Sequence, residues 1–305
     1  MGREALGFKK SALAYKDNSV KKVKTPKKPD LKVVKKSDCK TTPYSDINLN
    51  DWKAYPHVKT DTWWEFPSRD KSHGHSYDYH GNYIPQLAQQ FYERYTKKND
   101  VVLDLFFGSG TSGIEAVNMK RRCIGVELKQ ELVDYVSQKF TPKQLVTDVN
   151  IICGDSASDD IQEKIKARLD IMGEEKAQFL ILHPPYNGII KFSDKKEDLS
   201  NCSSVEEFYE LFKKVAKNGY DMLEKGRYAA LIIGDEYAKS QVIPLGFKCM
   251  EKMNEIGFIT KSIIVKNIEG NEKTKGKDAN LWRWRALAGG FSIFKHEYIM
   301  IMKKV

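Results

Sequence analysis

Residues 183–186, His183-Pro184-Pro185-Tyr186, put an imidazole, two prolines and a phenol side by side. They follow the apolar run Phe179 to Leu182, which reads as a short buried strand, and they end it. Proline cannot donate to a sheet ladder, and each proline pushes the residue before it toward extended backbone. The result is a stiff turn at the carboxyl end of a strand. It presents an imidazole, carbonyls and an aromatic ring in fixed directions.

Three further features fall at strand ends. The segment "DLFFGSGTSG", residues 104–113, closes the strand "VVLDLF", and Gly108 and Gly110 allow the backbone to approach a ligand closely. Glu127 ends the next strand, 23 residues after Asp104, at about the distance where an acid grips ribose hydroxyls. Asp155 ends a third strand. In open α/β sheets, ligands bind outside the carboxyl ends of the strands, so all four features belong to one edge. Gly108, Gly110 and Gly113 also spell a dinucleotide fingerprint, which would suit an oxidoreductase but leaves the proline turn without a purpose. A P-loop is excluded, because no Gly-Lys-Ser/Thr follows.

The elements that must hold these residues are legible around them. Pro85 opens a helix, "PQLAQQFYERYTKK", with Leu87, Phe91 and Tyr95 on one stripe. Strands "VVLDLF", "RRCIGVEL", "VNIICGDS", "FLIL" and "YAALIIGD" alternate with helical patterns at "IEAVNMK", "QEKIKARLD", 205–223 and 247–256. This predicts an α/β, doubly wound, mostly parallel sheet covered on both faces. The last two strands, "FITKSIIVKN" and "HEYIMIMKK", are joined by a long segment with no convincing helix, and an antiparallel edge hairpin is expected there.

Composition narrows the class. The chain has 305 residues, 41% hydrophobic and 30% charged, with a formal net charge of +10. Residues 1–40 hold Arg3 and twelve lysines against four acids, so +9 of that charge sits in the first forty positions. Residues 1–43 read as a basic, flexible arm, either solvating or gripping nucleic acid phosphates, and 44–305 as the catalytic domain. No run approaches the roughly 18 apolar residues of a membrane span, and the N-terminus lacks the apolar block of a signal peptide. Cysteines 39, 123, 153, 202 and 249 are odd in number and form no C-x-x-C pair. Neither a disulfide framework nor a metal site is expected, and a cytoplasmic location fits. Cys123 and Cys153 read as small core residues within strands. His73 and His75 read as polar loop residues, and His296 as structural.

Taken together, the glycine turn, the acid and the proline turn resemble the S-adenosylmethionine-dependent DNA amino-methyltransferases, the N6-adenine and N4-cytosine methylases. Asp104, Phe106, Gly108, Ser109, Gly110 and Thr111 match the family's cofactor loop, and "CIGVEL" its following strand, with Glu127 as ribose ligand. The segment "YHGNYIPQLAQQFYERY", with His80 and Pro85, is similar to the one that packs on the methionine end of the cofactor. The resemblance covers residues 60–303 and implies a Rossmann-like class I methyltransferase fold, with S-adenosylmethionine as cofactor and Asp155 among its ligands. It also implies DNA as partner, through a flipped base. The catalytic residues would be His183, Pro184, Pro185 and Tyr186. The family's usual first residue is Asp, Asn or Ser, so His183 is a departure. A base-amine methylase acting on RNA and a DNA-binding relative without turnover remain alternative readings.

Substrate contacts are expected from Lys191 and from "NEKTKGKDANLWRWRALAGG", where Lys273, Lys275, Lys277, Arg283 and Arg285 interleave with Trp282 and Trp284. At least one of Trp63 and Trp64 is expected in the core. No segment is long enough for a separate target-recognition domain. Site choice then falls to short loops, the arm, or a partner such as a specificity subunit or a cognate restriction endonuclease.

Overall fold

The structure is a computed structural model and describes residues 40–75, 81–186, 192–268 and 279–305. His80, Lys191, Lys273, Lys275, Lys277 and the basic arm up to residue 39 lie outside the described residues.

Eight strands form one sheet: β1 (Trp63–Trp64), β2 (Val101–Asp104), β3 (Arg122–Glu127), β4 (Val149–Cys153), β5 (Ala177–Leu182), β6 (Leu223–Ile233), β9 (Phe258–Asn267) and β10 (His296–Lys304). A small separate hairpin is made by β7 (Glu236–Ala238) and β8 (Gln241–Ile243). The sheet order is β1-β9-β10-β6-β5-β2-β3-β4. All its neighbours pair in parallel except β10, which runs antiparallel to both β6 and β9. The expected edge hairpin is therefore corrected in one respect. The antiparallel strand β10 lies inside the sheet, and β1 takes the edge beyond β9 through the pairs Trp63–Val265 and Trp64–Lys266. Trp64 is fully buried, whereas Trp63 is 56% exposed.

Successive residues of the central strands serve opposite faces, as strand geometry demands. Leu180, Leu182, Leu231 and Ile233 pack on one face with α5 (Ile161–Met172), α6 (Val205–Met222) and α7 (Leu245–Ile256). Phe179, Ile181, Ala230 and Ile232 pack on the other with α1 (Pro85–Tyr95), α2 (Thr111–Asn118) and α3 (Gln130–Ser137). Both faces being buried, the strands read as unbroken apolar runs. Cys123 is one of these core residues, while Cys153 at the end of β4 is half-buried.

The short helices α3 and α4 (Pro142–Thr147) escaped the sequence reading; α4 is held by a capping box between Thr141 and Gln144. The larger correction is α8 (Ala279–Gly289), which stands between the last two strands where no helix was expected. Its large apolar side chains Leu281, Trp282, Trp284 and Leu287 are all exposed. A helix that buries no face carries no apolar stripe, so periodicity does not reveal it.

The strand order reverses between β2 and β5. One arm of the sheet runs β2-β3-β4 and the other β5-β6-β10-β9. Between their carboxyl ends lies the crevice where this class of sheet binds ligands.

Candidate active site

A cavity of about 660 Å3 opens at that crevice. Among the residues singled out from sequence, Phe106, Gly108, Thr111, Glu127, Asp155, His183, Pro184, Pro185, Tyr186 and Trp282 line it. Pro85, Asp104, Ser109, Gly110, Arg283 and Arg285 are not on its wall.

Asp104 acts from behind the wall. It is buried, and its carboxylate accepts the Phe106 amide at 3.0 Å and the Ser112 hydroxyl at 2.6 Å. Those two bonds fix the turn and tie it to the start of α2. Burial lifts the carboxyl to about 6. The turn itself needs left-handed backbone at Gly108 (φ 53°) and Gly110 (φ 83°). A Cβ on Gly110 would also lie 2.6 Å from Val136 Cγ1, on α3. Ser109 contributes its backbone, accepting Lys139 Nζ at 3.2 Å. Pro85 occupies the first turn of α1, where its missing N–H has no consequence. The residues just before it, Tyr83 and Ile84, reach the cavity.

Glu127 is held at the end of β3 by two backbone donors, Gly108 and Lys129, each at 3.0 Å. Burial raises its carboxyl above the ordinary range despite those bonds. Asp155 accepts the Ala157 amide at 2.8 Å and is raised for the same reason. Both acids face the cavity beside Phe106, Val126 and Leu128.

On the opposite side, the proline turn is fastened through its last residue. The Gly234 amide donates to the Tyr186 hydroxyl at 2.8 Å, which fixes the ring against the end of β6. Burial raises the phenol. The His183 ring meets Tyr83 edge-on, with centroids 5.5 Å apart, and neither ring nitrogen has a hydrogen-bond partner among the described residues. Burial pushes the imidazole down to about 4, against the opposing pull of Glu297. His183 is therefore neutral at physiological pH and keeps an acceptor nitrogen.

The far wall was not foreseen. It is made by Asp235, Tyr237, Lys266, Phe291 and Glu297. Tyr237 on β7 stacks on Phe291 at 4.2 Å, and Lys266 Nζ donates to Glu297 Oε1 at 2.8 Å across β9 and β10. One signal for Lys266 was present, since it shares a strand face with buried Ile264. His296, read as structural, also reaches the cavity and contacts the Tyr298 hydroxyl at 3.2 Å. The Arg285 guanidinium lies over the Trp282 ring at 5.2 Å. Of the loop histidines, His73 is exposed, and His75 is buried against Glu115 at 2.7 Å, away from the cavity.

The residues present fit S-adenosylmethionine. The volume lies in the range of cofactor sites, roughly 300–1,000 Å3. Two carboxylates stand ready for hydroxyl and amine donors, apolar side chains for a purine, and a glycine turn allows close approach.

Strand order and cavity together are those of a Rossmann-like fold of the class I methyltransferase type. A DNA methylase family model, for the N6/N4 amino-methyltransferases, matches residues 6–138. That match opens inside the basic stretch that the sequence reading left outside the resemblance, and it closes ahead of the proline turn. Two curated relatives match over short segments. Type II methyltransferase M.MjaII of Methanocaldococcus jannaschii is 36% identical over 50 residues, 16% of this chain and 9% of that protein. Type II methyltransferase M.HinfI of Haemophilus influenzae is 46% identical over 45 residues, 15% of this chain and 12% of that protein. Among solved structures, TrmN from Thermus thermophilus aligns over 74% of this chain and 50% of its own, at 14% identity and a TM-score of 0.47. Through these sequence matches the chain is similar to DNA amino-methyltransferases over residues 6–138 and over two short segments, and those segments span only 9% and 12% of the length of the curated relatives.

Proposed function

We propose that the protein transfers a methyl group to the exocyclic amine of adenine (N6) or cytosine (N4) in DNA. The observation that carries this reading is a single cavity that joins the Glu127 and Gly108 wall to the His183-Pro184-Pro185-Tyr186 turn. Bound in the first half, S-adenosylmethionine supplies an electrophilic methyl group on a sulfonium.

The work of the protein's own residues follows from their chemistry. Glu127 accepts ribose hydroxyls, and Asp155 takes a donor at the purine end. Phe106, set by the Asp104 carboxylate, closes over the ligand. In the other half an exocyclic amine must be made nucleophilic, because its lone pair is delocalised into the base. The neutral His183 imidazole and the Pro184 carbonyl accept its two hydrogens, which favours tetrahedral nitrogen and frees the lone pair. Two prolines and the Gly234–Tyr186 bond hold these acceptors still, so little reorganisation is needed at the moment of reaction. The Tyr186 ring offers a face for a base extruded from the duplex.

The basic arm, residues 1–43, adds sequence-independent phosphate contacts to the 44–305 catalytic domain. Trp282, Arg283 and Arg285 of α8 extend these contacts at the mouth of the cavity, with Lys191 and His80 as further substrate and cofactor residues. A cognate endonuclease or specificity subunit is proposed as a companion.

The test combines purified protein, tritiated S-adenosylmethionine and unmethylated genomic DNA, followed by nucleoside mass spectrometry. Label in N6-methyladenine or N4-methylcytosine is expected and would identify the base. Cofactor binding without transfer to DNA would sink the DNA reading and turn attention to RNA.

A further inference from the structure

Lys266 is 2% exposed, yet it lines the cavity. An ammonium carries three donors, and the only acceptor for them among the described residues is Glu297 Oε1, at 2.8 Å. No described residue donates to the other Glu297 oxygen. A buried ion pair costs several kcal/mol per ion unless its remaining hydrogen-bonding capacity is also met. This pair therefore keeps two N–H donors and a carboxylate oxygen to spare, on the wall of the cavity that the proline turn also lines. Lys266 and Glu297 share the cavity wall with His183, and their charges, with that of Arg69, act on its ring.

The choice of ligand follows from charge. Lys266 is already neutralised by Glu297, so the pair does not attract a phosphate, and the carboxylate would repel one. A neutral group that offers an N–H beside a lone pair is the complement. Adenine and cytosine both present that amidine edge, an amine hydrogen next to an unprotonated ring nitrogen. On their Watson–Crick edges guanine and thymine present the reverse, a carbonyl next to a ring N–H.

We propose that the Lys266–Glu297 pair is the specificity element of the base pocket: Lys266 donates to the ring nitrogen beside the target amine and Glu297 accepts from that amine. The assignment rests on the DNA amine reading above and deepens it. For a base presented by its Watson–Crick edge it admits adenine or cytosine and refuses guanine and thymine. It also returns a carboxylate to a catalytic turn that begins with histidine, this time from β10. In the complex the two amine hydrogens are shared among Glu297, the Pro184 carbonyl and His183.

The experiment is a cycle between protein and base. The methylated site is first mapped on genomic DNA treated with the full-length protein. A duplex with that site is then made in two forms, one with the normal target base and one with its deaza analogue lacking the ring nitrogen beside the amine. Analogue and variant each alter more than one property, but the cycle cancels effects that do not involve both. For the unmodified protein, the analogue is expected to lower kcat/KM by about 10- to 100-fold, the usual scale for a paired base contact. For Lys266→Met the two duplexes are expected to agree within about threefold. Lys266→Met leaves Glu297 buried without its partner and can destabilise the chain. Lys266→Met/Glu297→Leu removes both charges and is expected to fold, to bind S-adenosylmethionine normally, and to show the same indifference to the analogue. Equal penalties for the analogue in the unmodified protein and in the double variant would overturn the assignment. Absence of any transfer to DNA by the unmodified protein would overturn the reading on which it stands.

Discussion

The two halves of the cavity are built from different materials. On the side of β2, β3 and β4 the wall is backbone and carboxylates: Gly108, the buried Glu127 held by two amides, and the half-buried Asp155 held by one. On the side of β5, β6, β10 and β9 the wall is side chains from five separate stretches, the His183 ring and the Lys266–Glu297 ion pair among them. The first half is set by local chain geometry and suits one invariant ligand. The second half is set by packing between distant segments and is free to differ with the substrate.

The largest expected effect falls on the second half. Tyr186→Ala or Pro184→Ala should lower turnover about a thousandfold or more, since positioning of the reacting groups supplies several kcal/mol of barrier reduction. Cofactor affinity, measured by calorimetry, should stay within a few-fold. A parallel loss of cofactor affinity would show that the halves are not separable.

Glu127→Ala should produce the mirror image. Loss of hydrogen bonds to a charged acceptor costs about 1.5–3 kcal/mol. Cofactor affinity should therefore fall by about 10- to 150-fold, with DNA affinity unchanged in a gel-shift titration.

The halves also carry opposite pH signatures. Burial raises Asp104 to about 6, so the folded state binds a proton that the unfolded chain has released, and this contribution to stability is lost as pH rises from about 4 to 6. Burial lowers His183 to about 4, so the unfolded chain holds the extra proton, and this contribution grows as pH rises from about 4 to 6.5. Each shift corresponds to up to about 3 kcal/mol across its window. Denaturant melts of Asp104→Asn should show stability rising more steeply with pH than in the unmodified protein. His183→Asn should show the opposite change, and identical slopes would refute the opposed burial of the two groups.

The smallest effects belong to the rim. Trp282→Ala should weaken single-strand and flipped-base binding by about 1–3 kcal/mol if a base stacks there. Deleting residues 1–40 should flatten the salt dependence of DNA binding, because each lost phosphate contact removes about one unit of slope. An unchanged slope would leave the arm without phosphate contacts.

The same division explains what could be read in advance. The glycine turn, Glu127, Asp155 and the proline turn were legible because each depends on residue type and local spacing. Glycine takes a left-handed φ where others are strained, proline ends a ladder, and an acid closes a strand. Of the seven main-sheet strands after β1, five were recognised by their doubly buried apolar runs and the last two by length and β-branched content, while the β7–β8 hairpin was missed. Lys266 and Glu297 were missed because they lie 31 residues apart and meet only through the register of β9 and β10. The helix α8 was missed because it lies on the surface and buries nothing that would impose a period.

By itself the sequence determined the alternation of strands and helices, the glycine turn after β2 and the stiffness of the His183 turn, since these follow from backbone preferences within a few residues. Only the tertiary structure decided that β10 enters the sheet between β6 and β9. That insertion brings Glu297 and Lys266 to the wall of the cavity that His183 also lines. It is settled by the burial of apolar faces on both sides of the sheet, a property of the whole packed chain that no local stretch contains.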